Sequence, residues 1–325
     1  MTTARTVPVT TEMDGDELDY EDAWRAARDV GLRRLVWDSF VRFRYADGFT
    51  NSRALALQSA LAVVPFLLAL SGLAADIDEQ RPAQVLAGTI QAVAPGSGEQ
   101  DALAGAVTGD ASAEEAGELA LGFGLGFALL SMTTAMAQVE RGLNRVYGIR
   151  RDRRAPAKYG RAAVMTALLA GPLGLGFLVL VAGGAFADEM VAAYGWSEGA
   201  ALLWNLSRWP LGLLLLVVAI AVVLDHAPRR RQPRLSWLAL GSGIAVALTM
   251  LATGLLAAYV HLSDSFGSVY GPLAGMFALL LWSLMSSVAL FYGAAVCAQL
   301  EACRAGDSDP VYADPGLPAN AEVPD

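Results

Sequence analysis

The chain has almost none of the side chains that enzymes use for chemistry. It holds two histidines, His226 and His261, in 325 residues. They stand at the ends of different apolar runs, and a hydrocarbon layer of about 30 Å would separate them. The two cysteines, Cys297 and Cys303, are six apart, with no CxxC and no histidine cluster nearby. That spacing offers no metal site, and thiols facing the cytosol stay reduced. No GxSxG, HExxH, phosphate-binding glycine loop or paired-carboxylate spacing occurs. No catalytic role is expected, and neither a cofactor nor a metal is called for.

Charge is missing from six long stretches. Residues 54–75, 119–139, 162–187, 209–224, 235–260 and 269–300 contain no Asp, Glu, Lys or Arg. A helix needs roughly 20 residues to cross a bilayer, and only the fourth stretch falls short. Helices of a soluble protein need a charged face, and these have none. The expected fold class is all-α: a polytopic membrane protein with six transmembrane helices spread over residues 20–304. The lack of intramembrane charge argues against an ion-coupled carrier of a polar solute. The first 50 residues also lack an apolar signal core, so the first span is expected to act as an uncleaved signal.

Arginine is abundant, and it is sorted by side. Eight Lys or Arg precede the first span, eight lie in the second connection, four in the fourth and one in the C-terminal tail. The opposite side holds Arg81 and Arg208. Basic residues beside spans stay cytoplasmic, so a multi-pass topology with both termini in the cytoplasm is expected. The net charge of −9 arises from acidic tails and an acidic external loop, Asp76–Glu118. Those residues have little influence on orientation. The basic face suits the anionic inner leaflet, which makes membrane lipids the expected partners and nucleic acid an unexpected one. Self-association or an envelope-protein partner is compatible with the same pattern.

Residues 1–19 and 305–325 read as disordered tails because they are polar and acidic. Between Tyr20 and Tyr45, Leu32, Leu35, Val36, Phe40 and Phe43 recur at helical spacing among arginines. This pattern predicts an amphipathic interfacial helix, either on the inner leaflet or packed under the bundle. Within the first span, Gln58 and Ser59 are an adjacent polar pair that should face other helices, and Pro65 should kink the helix. Gly122 and Gly126 form a GxxxG pair suited to close helix approach. Gly171-Pro172 predicts a bend in the third span. After the second span, Arg141, Asn144 and Tyr147 lie on a helix that continues past the membrane, with Gly148 as its stop. Tyr270 and Gly271, before Pro272, mark a break at the start of the sixth span.

Several segments together resemble the YihY/BrkB family of bacterial inner-membrane proteins. They are Asp47-Gly48-Phe49, Val63-Val64-Pro65-Phe66-Leu67, Arg141 to Gly148, Arg208-Trp209-Pro210-Leu211, His226-Ala227-Pro228 and Val269 to Gly275. The resemblance spans about Val36–Arg304. It implies a six-helix fold in the cytoplasmic membrane, a role in envelope integrity and, from one branch, lipid transport. It also implies that an older ribonuclease label for the family is mistaken. Where many members have Ala-Tyr-Tyr, this chain has Leu57-Gln58-Ser59. The expected function is envelope integrity with lipid or amphiphile transport. The alternative is a non-transporting scaffold that organises partners through its tails and external loop.

Overall fold

The computed structural model describes residues 5–12, 18–75, 85, 111–262 and 274–313. Helices account for nearly all of it. In chain order they are α1 (Tyr20–Val30), α2 (Leu32–Tyr45), α3 (Gly48–Ala75), α4 (Ala111–Val146), α5 (Ala155–Val181), α6 (Gly183–Tyr194), α7 (Glu198–His226), α8 (Leu235–Leu262) and α9 (Ala274–Arg304). Two short strands, β1 (Arg5–Thr6) and β2 (Tyr312–Ala313), pair antiparallel and tie the two ends of the chain together.

The six long helices close a ring. α3 packs along α4, α4 on α5, α5 on α7, α7 on α8, α8 on α9, and α9 returns to α3. α2 lies across α9 and α3, and α1 rests on α8 and α9. Among the described residues, Gly122–Val146, Glu198–His226, Leu235–Val260 and Ala274–Arg304 are long and apolar enough to cross a membrane. α3 and α5, of 28 and 27 residues, complete the ring.

The surface of this ring is apolar. Only 17–22% of each of those four apolar segments is buried within the protein. Phe123, Phe127, Leu202, Leu206 and Leu255 all point outward and stand more than half exposed. Contiguous exposed hydrocarbon on this scale is stable in lipid and not in water. The tightest packing sits at one end of the ring. Leu143, Tyr147, Leu224, Trp237, Leu238, Phe291, Cys297 and Leu300 are fully buried there.

Helix boundaries differ from the sequence expectation at three places. The third helix stops at Val181 and the chain restarts as α6, while the fourth long helix begins at Glu198 rather than near Trp209. Gly183 and Gly184 weaken the helix at the break. Arg208 lies against both glycines, and Trp204 Nε1 donates to the Gly183 carbonyl at 2.7 Å. α4 begins at Ala111, well before Leu119. The helices containing Pro65, Pro172 and Pro210 run on through each proline.

Two further expectations are overturned. Gly122 and Gly126 have no described neighbour in the space that a Cβ would fill. The residue that meets α3 is Gly124, where a Cβ would stand 2.7 Å from the Ala69 nitrogen and 3.0 Å from the Pro65 carbonyl oxygen. The pair therefore faces away, because neighbouring positions on a helix are turned about 100° apart. α8 and α9 also cross closely, where Gly241 and Gly293 bring backbone against backbone.

The described parts of the two tails are folded, not disordered. Val7 and Thr10 are buried, as is Leu18 just before α1. Residues 5–12 are polar in composition, but arginines and main-chain groups of the bundle supply their hydrogen-bond partners. Composition alone does not reveal such partners.

Candidate functional site

The tightly packed end of the ring also carries the charge. It is built by the last turns of α4, α7 and α9, the first turn of α5, the face of α2 and residues 5–12. Two polar centres lie there side by side.

The first centre is organised by Asp152, in the connection between α4 and α5. Its Oδ1 accepts from Asn144 Nδ2 at 3.1 Å, and its Oδ2 accepts from Lys158 Nζ at 3.1 Å and Arg141 Nε at 3.2 Å. Burial alone would raise its pKa, but the hydrogen bonds from Asn144, Lys158 and Arg141 outweigh burial and hold the carboxyl below its ordinary 3.8. Asn144 also accepts from the Arg229 amide at 2.8 Å, which fastens the α7–α8 connection to α4. One turn away, Glu140 pairs with Arg153 at 2.6 Å, and Arg153 donates onward to the carbonyls of Ala227 and Pro228. Helix α4 ends at Val146, and Gly148 just beyond it has a φ of 78°, the left-handed value that glycine takes without strain. Pro8 packs directly against that glycine.

The second centre is deeper. Arg42, fully buried on α2, donates from Nε to the Val146 carbonyl at 3.0 Å and from Nη1 to Gln299 Oε1 at 3.2 Å. Its Nη2 donates to Pro8 O at 3.2 Å and Thr10 Oγ1 at 2.5 Å. Burial pulls its pKa down to about 10, with Glu301 opposing, so it stays charged at neutral pH. Arg230 pairs with Glu301 at 2.7 Å, and its guanidinium carbon lies 4.7 Å from the Tyr147 ring centroid. Burial raises the Tyr147 phenol well above its ordinary value, so it remains a neutral hydroxyl.

Of the residues singled out by sequence, Arg141, Asn144 and Tyr147 come together here. Gln58, Ser59 and Pro65 do not. They lie on α3 beyond Asn51, which accepts from Gln138 Nε2 at 2.9 Å. Gln58 is two turns further, roughly 10 Å along the axis. Its Oε1 is buried without a described partner. Tyr270 and Gly271 lie outside the described residues. Among the described residues no group of three His, Cys, Asp or Glu is placed to hold a metal.

Sequence reading missed Arg42, Asp152, Arg153, Arg230, Gln299 and Glu301. For Arg42 a signal existed: with Leu35, Ser39 and Phe43 it shares the buried stripe of α2. A charge placed on an apolar stripe needs a buried partner. Glu301 likewise continues the buried stretch of α9 that begins at Gly293.

A ring of outwardly apolar helices with its ion pairs gathered at one end defines a multi-pass helical membrane protein. The chain belongs to the Virulence factor BrkB family, whose model matches residues 39–314. It is similar to YfkH of Bacillus subtilis (strain 168), a protein named ribonuclease-like. The two are 25% identical over 264 residues, or 80% of this chain and 93% of that one. It also resembles a UPF0761 membrane protein of Chromohalobacter salexigens, at 27% identity over 286 residues. That match takes in 83% of this chain and 62% of the relative. No solved structure matches.

Proposed function

We propose that this protein maintains the bacterial cell envelope by passing lipid or another amphiphile through the cytoplasmic membrane. In this reading all six ring helices cross the bilayer. The basic end and both termini face the cytoplasm, with α2 at the inner interface, where its outer face exposes Leu32, Val36 and Trp37. The same side of the ring gathers nearly all the arginines, in keeping with the basic bias of cytoplasmic flanks.

The observation that carries the reading is a set of buried polar groups on two ring helices that pack together. The side-chain oxygens of Ser52 and Gln58 on α3, and of Ser283 and Ser286 on α9, are buried without described partners. α3 and α9 pack together. Uncharged hydroxyls and amides between adjacent spans suit a headgroup that passes without ion coupling, and in hydrocarbon they need a partner. The scaffold reading works through the tails and the loop Asp76–Glu118, and of those tails residues 5–12 and 305–313 are folded onto the bundle. We propose no ribonuclease activity, since Asp152, Glu140 and Glu301 are each engaged by basic side chains.

The test is reconstitution in liposomes with a fluorescent phospholipid in one leaflet. Movement faster than in empty vesicles, slowed by Gln58→Leu with Ser283→Ala, is the expected result. Movement at the empty-vesicle rate would refute transport.

A further inference from the structure

Residues 5–12 lie as a strap across the basic end, and what they contact is unusual. Pro8 O and Thr10 Oγ1 both accept from Arg42 Nη2, and Thr11 O accepts from Arg230 Nη2 at 3.4 Å. Thr10 N donates to the carbonyl of Tyr147 at 3.1 Å. Three oxygens from four consecutive residues thus fall on two guanidinium groups. Beneath them, Arg230 Nη1 and the Tyr147 hydroxyl are buried without described partners. The donors exceed what the strap can satisfy.

Charge points the same way. Arg42 and Arg230 carry two positive charges, and Glu301 returns one. The buried trio of Arg42, Arg230 and Glu301 is left with an excess of positive charge where screening is weak, with Asp307 and Glu12 acting on it from the rim. Backbone carbonyls carry only partial negative charge and do not neutralise it. A phosphoryl oxyanion with one negative charge would, and two arginine forks beside a phenol are well suited to its oxygens.

We propose that Arg42, Arg230 and Tyr147 form a binding site for a phosphodiester oxyanion, which residues 5–12 cover as an internal pseudo-ligand. The strap is held by polar contacts and has little apolar anchoring: within it Val7 is the buried apolar side chain, and the β1–β2 pairing is two residues long. The family match, residues 39–314, takes in all three site residues and begins after the strap. The site adjoins α2, which in the orientation proposed above puts it at the depth of the cytoplasmic phospholipid headgroups. The proposal stands apart from transport, since a phosphodiester bound here could be a regulator or a structural lipid.

The test uses full-length protein in neutral detergent. Val7→Ser with Thr10→Val removes the strap's apolar anchor and the hydroxyl that Arg42 holds. Calorimetric titration with short-chain phosphatidylglycerol should show binding at least about tenfold tighter than wild type, the scale of one charge-assisted hydrogen bond. Arg42→Lys in that background should remove the gain, because lysine lacks the fork. Inorganic phosphate forms a second arm. Binding of the lipid alone identifies a headgroup, and displacement of the lipid by phosphate identifies a free anion. The proposal fails if the strap variant, with its helical circular dichroism intact, binds both probes no better than wild type. It also fails if Arg42→Lys leaves the gain in place. Thr10→Val alone is the milder variant should the double change disturb folding, and it is judged by the same two outcomes.

Discussion

Arg42 closes the C-terminal end of a helix that begins 69 positions later in the chain: its Nε donates to the carbonyl of Val146 at 3.0 Å. That carbonyl is one of the four that a helix leaves unpaired at its end. A cation there also opposes the negative pole of the helix. The same guanidinium reaches Gln299 on α9 and the strap, so one side chain joins four parts of the fold. Arg42→Met should cost about 3 kcal/mol or more, because four main-chain or side-chain oxygens lose a charged donor in a buried or half-buried place. Chemical denaturation in detergent micelles measures this. A loss below about 1 kcal/mol would mean that the carbonyls find other partners.

The Arg230–Glu301 pair predicts a different pattern. Both side chains are almost wholly buried. Removing one partner leaves a bare charge, and either Arg230→Met or Glu301→Met should destabilise by about 3–5 kcal/mol. The double variant should be more stable than either single one, since two buried charges have been exchanged for apolar volume. The double-mutant cycle reads the difference. Additive losses would show that the two groups do not act as a pair.

The broad architecture was legible because it depends on long-range averages. Charge-free stretches mark long apolar helices whatever the details of packing. Asn144, Tyr147 and Arg141 were legible as polar groups where a long helix runs on past its apolar stretch. Arg42 and Glu301 were not, since each has a side-chain partner more than 70 residues away that only the fold brings near. The break at Ala182 was hidden for a related reason: Gly183-Gly184 reads as an apolar run until Arg208 and Trp204 are seen packed on it. The folded strap was missed because its stability comes from the bundle's donors and not from its own composition.

Glycines give a sharp contrast. A Cβ at Gly293 would meet the Gly241 carbonyl and stand 2.9 Å from the Ala245 Cβ. Gly293→Val should therefore push α8 and α9 apart and cost about 1–3 kcal/mol or more. Gly122→Ala and Gly126→Ala should be neutral or slightly stabilising, by up to about 1 kcal/mol, through helix propensity. Thermal unfolding of the purified variants checks the ordering. A severe loss at Gly122 or Gly126 would reveal a partner for that face, such as a second copy of the chain.

The topology has its own test. With Cys297 and Cys303 replaced by Ala, a single cysteine at Arg151 should resist a membrane-impermeant maleimide added to intact cells. One at Glu198, which opens α7 at the opposite end of the ring, should react. Labelling at 151 from outside would invert the assignment of both termini.

Asp152 predicts how the basic end responds to acid. Its folded pKa lies below 3.8, because hydrogen bonds from Asn144, Lys158 and Arg141 together outweigh the effect of burial. The unfolded chain then binds the proton more readily than the folded one. The carboxylate's contribution is fully present above the unfolded value of 3.8 and is lost as pH falls through the lower folded value. Stability should therefore drop on acidification in that window, and Asp152→Asn should flatten the drop while lowering stability at neutral pH. Unfolding followed at pH steps from neutrality downward, for both proteins, makes the comparison. Parallel curves would show that Asp152 is not the group that couples protons to folding at this end of the ring.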